Sequence, residues 1–187
     1  VALKNKSFLI FFFGYLFTNM ASAIIGVVGL HTFTYTFQMN NYKIGIVFAV
    51  QFIVCVISQP IWLKLSKTME KKAALILGLK ISILGCLILM GLVIFRNQVI
   101  IRFEFLIVYA TVIGFGTSGL FSIPLSMVAD TVDLQEDETG ERNEGIFYGM
   151  LNFGYKISQS VAILILGFIL DLIKFDPELT IQRNLTA

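Results

Sequence analysis

Residues 127–145 read MVADTVDLQEDETGERNEG, and they contain seven acidic residues and one arginine. Long apolar segments flank this stretch on both sides. A bilayer core of about 30 Å needs about 20 apolar residues for each helix that crosses it, and both flanking segments reach that length. The stretch is therefore predicted to be a polar turn at a membrane surface, between two helices that cross the bilayer.

The composition of the whole chain is also typical of a membrane protein. Its 187 residues are 57% hydrophobic and 14% charged, whereas a soluble domain is about half apolar and about a quarter charged. The net charge of +2 is small and the basic residues form no stripe, which excludes nucleic acid as an expected partner. Two cysteines in different apolar segments and a single histidine predict neither a disulfide framework nor a metal site.

Five segments of the chain are long and apolar enough to cross a membrane. Isolated sheets cannot span lipid because their edges stay unpaired, so we predict helices. The fold class predicted from the sequence is an all-α membrane protein, with five transmembrane helices joined by short connections in an up-and-down bundle. The predicted helices cover residues 8–38, 44–63, 73–95, 103–128 and 146–173.

Lysine and arginine in short loops predict how the helices are oriented. The connection between the second and third predicted helices carries Lys64, Lys67, Lys71 and Lys72, so we expect it in the cytoplasm. The acidic loop at 129–144 follows on the same side. The chain starts at Val1 with no signal-peptide pattern and has an odd number of crossings, from which we expect a segment of a longer protein.

Lys156 is the first candidate for a functional residue. It lies about 16 Å along the fifth predicted helix from Gly145, and ionisable groups at that depth mark substrate or ion pathways by default. The spacing predicts that this face lines a cavity; the alternative is a structural ion pair with an acid on another helix. The polar residues that share one helix face with Lys156 are Tyr148, Asn152, Tyr155 and Gln159.

Two other patterns receive structural interpretations. The sequence GFGTSG at 114–119 matches G-x-G-x-x-G, but a nucleotide fingerprint needs a preceding strand and a βαβ unit. Because this match lies inside a predicted membrane helix, we interpret its glycines as sites of close packing or bending. Lys80 is expected to lie nearer a helix end and to extend its charge toward water.

The acidic stretch has two interpretations. It is either a solvated turn, whose acids complement the dipole of the fifth helix, or a gate made of charge pairs that lock in one state and part in another. We favour the gate. Asp130 and Asp133 would end one helix, and Arg142 and Glu144 would begin the next.

At these residues the chain resembles the glycoside–pentoside–hexuronide:cation symporters, the melibiose permease group of the major facilitator superfamily. The match consists of Asp130-Thr131-Val132-Asp133, Glu136 and the sequence TGERNEG at 139–145. Lys156 falls where that group carries a lysine important for sugar and cation transport. Leu134 replaces the usual tyrosine, Phe121 a tryptophan beside the sugar, and Asn152 a threonine.

The resemblance implies a fold and a function. The chain would be helices seven to eleven of a twelve-helix transporter, a partial C-terminal half that packs against a missing N-terminal half. It would transport a sugar or glycoside by alternating access, driven by sodium or protons (Na+ or H+) bound mainly outside this segment, with no other cofactor. Substrate and coupling residues would be Lys156, Asn152, Tyr155 and Phe121; the cytoplasmic gate would be Asp130, Asp133, Arg142 and Glu144.

The implied location is the plasma (inner) membrane, as a multi-pass protein in contact with the lipid bilayer. Three alternatives differ in class or substrate. Some relatives in the group carry other solutes, including lysolipids. A membrane-embedded enzyme would need converging His, Glu, Ser or Asp groups within the bilayer, and one histidine with no paired acids at mid-membrane argues against an enzyme. A non-transporting structural subunit would not need a lysine at mid-membrane.

Overall fold

The computed structural model describes residues 6–97, 102–140 and 144–175. Within these ranges it has five helices long and apolar enough to cross a membrane, which confirms the predicted all-α class. The helices are α1 (Lys6–His31), α2 (Asn41–Thr68), α3 (Lys71–Ile94), α4 (Glu104–Thr139) and α5 (Glu144–Leu172). A short π-helix, Thr32–Thr36, continues α1.

The turn between α1 and α2 is shorter than the sequence predicted. The Asn40 side chain accepts a hydrogen bond of 3.0 Å from the backbone N–H of Lys43, so Asn40 caps α2 in the way short polar residues do. This cap starts α2 at Asn41, ahead of the predicted start at residue 44. At its other end α2 continues through Lys64 to Thr68, past the predicted end at residue 63.

The largest correction concerns the acidic stretch. The predicted helix ended at residue 128 and was followed by a loop at 129–144, but α4 continues to Thr139. Glutamate, glutamine and leucine favour helices, so this run stays helical beyond the bilayer. Gly140 ends α4 with a left-handed φ of 70°, and its N–H donates to the carbonyl of Glu136 at 2.8 Å. The connection to α5 is therefore only the few residues before Glu144.

Helix α4 is the centre of the bundle. In its most apolar stretch 61% of residues are buried, against 17–22% in the other four helices. It packs along α2 and α3, running parallel to α2 and antiparallel to α3, as the residue pairs below show. Its length of 36 residues is about 54 Å, well above the bilayer core of about 30 Å.

The glycines of the GFGTSG sequence bring α4 against both neighbours. A Cβ on Gly114 would lie 2.6 Å from the backbone oxygen of Gln51 in α2. A Cβ on Gly116 would lie 2.7 Å from Oγ of Ser82 in α3. Real Cβ atoms do not approach so closely, so glycine is required here for steric reasons. The predicted role of this sequence in close helix packing is confirmed.

Side-chain hydrogen bonds reinforce the seam between α2 and α4. The indole Nε1–H of the fully buried Trp62 donates to the carbonyl of Phe115 at 2.9 Å. The Ser118 hydroxyl donates to the carbonyl of Cys55 at 2.8 Å. Both donors reach backbone groups of the facing helix, which satisfies polar atoms that have no water available inside the bilayer.

The remaining two helices, α1 and α5, form a parallel pair. Gly154 of α5 lies against the Phe12 ring of α1. A Cβ on Gly154 would lie 2.7 Å from Cε2 of Phe12. The Ser158 hydroxyl donates to the carbonyl of Leu16 at 2.9 Å. A step of four residues along α1, from Phe12 to Leu16, corresponds to a step of four residues along α5, from Gly154 to Ser158. The two helices therefore run in the same direction.

The pair meets α4 near both ends. At one end, Phe8 contacts Phe147 edge to face at 4.7 Å between ring centroids, and both pack with Val128 and Val132 of α4. This region is called the inner cluster below. At the other end, Phe33 of the π-helix packs in one core cluster with Tyr109 of α4.

Candidate functional site

Helix α5 has three distinct faces. The first is packed, mainly against α1, and its residues recur every three or four positions, as one face of a helix requires. Gly154 and Ser158 make the closest contacts on this face. Its buried residues are Phe147, Leu151, Gly154, Ser158, Ala162 and Leu166.

The second face of α5 is polar and is called the polar strip. Because successive residues of a helix are rotated by about 100°, the polar strip lies on a different side of the helix axis from the packed face. Asn152 and Lys156 are exposed on it, while Tyr148, Tyr155 and Gln159 are half-buried at its edge. Lys156 lies about 18 Å along the helix from Glu144, and its Nζ stands 6.0 Å from the centroid of the Tyr155 ring. No acid in the described ranges forms an ion pair with Lys156.

The third face of α5 is apolar and exposed. It includes Phe153 at 65% exposure and Leu164 at 72%. The exposed surface of α5 is thus divided lengthwise into a polar part and an apolar part. Lipid suits the apolar part, whereas a lysine and an amide at mid-membrane need water, a substrate or another protein surface.

Helix α1 adds polar groups beside the polar strip. Tyr15 of α1 is partly buried and packs against the inner cluster, as Tyr148 of the polar strip does. One turn further along α1, the Asn19 amide is buried and donates to the carbonyl of Tyr15 at 2.8 Å. The seam between α1 and α5 is therefore polar at the depth of Lys156.

Phe121 is the predicted site residue that lies on a different helix. It is on α4, two turns from the inner-cluster residue Val128, and it is 49% exposed. Leu151 of α5 also belongs to the inner cluster, and Lys156 lies between one and two turns from it along the helix. Because both positions are roughly 8–10 Å from that cluster along their helices, Phe121 and Lys156 lie at similar depths. The structure brings Asn152, Tyr155 and Lys156 together on α5.

The charged end of α4 is held by a residue that we did not assign to the gate. Asp130 forms an ion pair with Lys71 at the start of α3, with 2.6 Å between Oδ2 and Nζ. The same ammonium donates to the carbonyl of Ser126 at 3.1 Å. The sequence held a signal for this pair, since Lys71 lies in the basic connection that we placed on the same membrane side as Asp130.

The other predicted gate residues are distributed around the connection from α4 to α5. Asp133 is exposed on the last turns of α4, Glu144 is the first residue of α5, and each has an interaction partner. Arg142 lies outside the described residues. The Lys71–Asp130 pair joins two helices of this bundle, so its first effect is to fix α3 to α4.

The single histidine is an aromatic packing residue. His31 is the last residue of α1, and its ring stacks on Tyr35 at 5.7 Å and meets Phe175 edge to face at 5.6 Å. These contacts hold the end of α1 to the residues that follow α5. Among the described residues no group of three or more His, Cys, Asp or Glu side chains is placed to hold a metal ion.

An all-α bundle of five membrane-length helices has the features of an integral multi-pass membrane protein. The comparisons with known proteins give the family. Residues 1–186 match the model described as "MFS/sugar transport protein", and the chain belongs to this family of the major facilitator superfamily.

One curated relative is a protein named as an uncharacterized symporter from Synechocystis sp.. It is 28% identical over 177 residues, which are 91% of this chain and 30% of that protein. The chain thus spans less than a third of the length of this relative. No solved structure matches the chain. The description of the family and the name of the relative both refer to transport.

Proposed function

We propose that the chain is part of the C-terminal half of a cation-coupled symporter for sugars or glycosides, of the glycoside–pentoside–hexuronide group. The family supports a transporter, the relative's name supports symport, and the motif at 130–145 with Lys156 supports the group. Transport proceeds by alternating access, with substrate bound between two halves near mid-membrane.

The observation that carries this proposal is the lengthwise division of α5. Lys156 and Asn152 are exposed on the polar strip, turned away from the packed face. Leaving a lysine in lipid at the centre of a helix costs about 2.5–3.5 kcal/mol on insertion scales. A water-filled cavity shared with the N-terminal half removes that cost, and it makes the polar strip one wall of the substrate site.

The side chains on this wall suit a hydroxyl-rich solute. The Lys156 ammonium offers three donors, and the Asn152 amide offers both donors and an acceptor. The half-exposed Phe121 ring at a similar depth gives an apolar surface for the C–H face of a sugar ring. Specific sites combine apolar surface with a few placed polar groups in this way.

The main binding site of the coupling cation lies outside the described residues. Sodium or a proton binds mainly to acids of the N-terminal half, and Lys156 responds to that charge across the cavity. The acidic end of α4 lies on the cytoplasmic side of the plasma (inner) membrane. There Asp133, Arg142 and Glu144 contact the other half in one transport state, while Lys71 keeps Asp130 and α3 in position.

The test is uptake by the full-length transporter in proteoliposomes under an imposed sodium or proton gradient. Losing a hydrogen bond to a charged group costs about 1.5–3 kcal/mol, so Lys156→Gln is expected to lower kcat/KM about 10- to 100-fold. Lys156→Arg keeps the charge and is expected to retain part of the cation dependence. Lys43→Gln, an exposed lysine at the start of α2, is the matched control.

Three results decide the proposal. Gradient-driven accumulation that depends on Lys156 but not on Lys43 supports it. Uptake and cation dependence that are unchanged in Lys156→Gln contradict the assigned site, and the absence of accumulation for every sugar and glycoside tested contradicts the substrate class.

A second solute class is favoured by one observation. The polar strip adjoins an exposed apolar face on the same helix, formed by residues such as Phe153 and Ile157. An amphipathic solute such as a lysolipid would place its headgroup on one face and its chain on the other. A competition experiment distinguishes the two solute classes. The amphipathic class is identified if a lysolipid inhibits solute uptake at concentrations at which sugars do not, and if the lysolipid is itself transported.

A further inference from the structure

A second lysine lies within the membrane-spanning part of the chain, on α3. Lys80 is the tenth residue of α3, so it lies about 13 Å along the helix from Lys71 and about 21 Å from Ile94. Its side chain is exposed, and within the described ranges no acid forms an ion pair with it. Ionisable residues at such positions call for a named partner.

The side chains of α3 that surround Lys80 are apolar. Positions three and four residues before and after it hold exposed aliphatic side chains, which are Ile76, Leu77, Ile83 and Leu84. The buried residues of α3 lie on the opposite face, against α4. Lys80 therefore points outward from the described bundle, away from α4.

The distribution of small residues shows what kind of partner this outward face fits. Helices in membranes associate through small residues that let their backbones approach. On α3 the buried small residues are all on the face toward α4: Ala74, Gly78, Ser82 and Gly85. The outward face around Lys80 has large branched side chains instead, a surface that suits acyl chains better than a close helix contact.

The geometry of a lysine on α3 directs its charge toward the nearer membrane surface. Side chains in a helix lean toward its N-terminus, and a lysine side chain extends by several ångströms with its charge at the tip. The N-terminus of α3 is the end where Lys64, Lys67 and Lys72 are exposed and unpaired within the described ranges. Basic clusters beside a membrane helix attract anionic lipid.

From this arrangement we propose that Lys80 binds the phosphate of an anionic phospholipid, whose acyl chains lie along the outward face of α3. The lipid belongs to the leaflet at the α2–α3 turn. The three exposed lysines in the helix ends beside this turn raise the local concentration of anionic headgroups, and Lys80 selects one of these headgroups by an ion pair below the surface. The site is a lipid-binding surface on the periphery of the transporter, separate from the polar strip.

The experiment uses the full-length protein, purified in detergent and titrated with an equimolar mixture of phosphatidylglycerol and phosphatidylcholine. Retained lipid is counted by native mass spectrometry for the wild type, Lys80→Leu, Lys80→Gln and Lys80→Arg. Lys43→Gln, which removes an exposed lysine at the start of α2, is the matched control. Lys80→Leu extends an apolar face, so it is expected to fold; Lys80→Gln removes the charge while keeping a polar group.

The expected result is a preference for phosphatidylglycerol in the wild type that falls about fivefold in Lys80→Leu and Lys80→Gln. That change corresponds to about 1 kcal/mol for one lysine near an anionic surface. Lys80→Arg and Lys43→Gln keep the preference. An unchanged preference in both neutral variants overturns the proposal. So does the loss of a dimer in Lys80→Leu without a change in retained lipid, because it shows a second protein copy on this face. Neither result depends on which solute is transported.

Discussion

The seam between α4 and α2 and the polar strip of α5 both contain polar groups at membrane depth, and the two regions treat them in opposite ways. In the seam, Trp62 and Ser118 each donate to a backbone carbonyl of the facing helix. On the polar strip, Asn152 and Lys156 remain exposed. The first arrangement satisfies its polar groups within the bundle, whereas the second leaves donors available for something outside it.

From this difference we expect changes in the seam to affect stability and changes on the polar strip to affect transport. The seam excludes even one additional carbon atom at Gly114, so changes there are expected to act on folding. The pair α1 and α5 is close at Gly154 and Ser158 but open on the far side of α5. Changes on that open side are expected to act on transport with little effect on folding.

The largest expected effect on stability comes from Gly114→Ala. The added Cβ would lie 2.6 Å from the Gln51 carbonyl oxygen, which is backbone and cannot rotate away, so α2 and α4 must separate. Overpacking of this kind costs about 3 kcal/mol. Thermal unfolding of the full-length protein, followed by size-exclusion chromatography of heated samples, measures the loss.

Gly91→Ala is the matched control for that change. It adds the same carbon atom to a helical glycine that has nothing within 4 Å of the built Cβ, and alanine favours a helix over glycine by up to about 1 kcal/mol. Its unfolding temperature should stay level or rise. A Gly114→Ala protein as stable as Gly91→Ala would show that the seam yields more easily than its geometry indicates.

A smaller loss is expected from Gly154→Ala, on the pair of α1 and α5. The built Cβ lies 2.7 Å from Phe12, a distance similar to that at Gly114, but the atom it meets is the far end of a side chain. A ring can shift where a backbone carbonyl cannot, so the expected cost is about 1 kcal/mol. The same unfolding assay compares the two variants directly, and equal losses would remove the distinction between the two seams.

The smallest expected effect concerns the ion pair between Lys71 and Asp130. Their side chains are 28% and 56% exposed, and exposed pairs contribute about 0–1 kcal/mol. A double-mutant cycle with Lys71→Gln and Asp130→Asn should give a coupling in that range that decreases as salt is added. A coupling of several kcal/mol that does not depend on salt would mean that the pair is shielded from water in the assembled transporter.

The number and class of the helices could be predicted from the sequence because length and apolarity alone decide what can cross a bilayer. The end of α4 could not. The acids of residues 130–138 are polar enough for a loop, yet the glutamates, together with Leu134 and Gln135, favour a helix, and only the left-handed Gly140 shows where the helix ends. Polarity marks where a chain leaves the membrane, which is a different place from where its helix stops.

For the candidate site, the shared helix face could be predicted from the sequence. The spacing of Asn152, Tyr155 and Lys156 places them on one strip of α5 in both the sequence and the structure. The partner of Asp130 was not predicted, because Lys71 is 59 residues away in the chain and its contact depends on how α3 packs against α4. The environment of Lys80 likewise became visible only when the packed face of α3 was known.

The central claim is that the polar strip of α5 faces water in the assembled protein. Single cysteines placed along α5 of the full-length protein, after Cys55, Cys86 and any other native cysteine are replaced, test it with a water-soluble maleimide. We predict rapid labelling at positions 152, 156 and 159 and slow labelling at 153, 157 and 164, with substrate slowing the first group. Slow labelling at 152, 156 and 159 throughout, or faster labelling of the apolar face, would contradict the account.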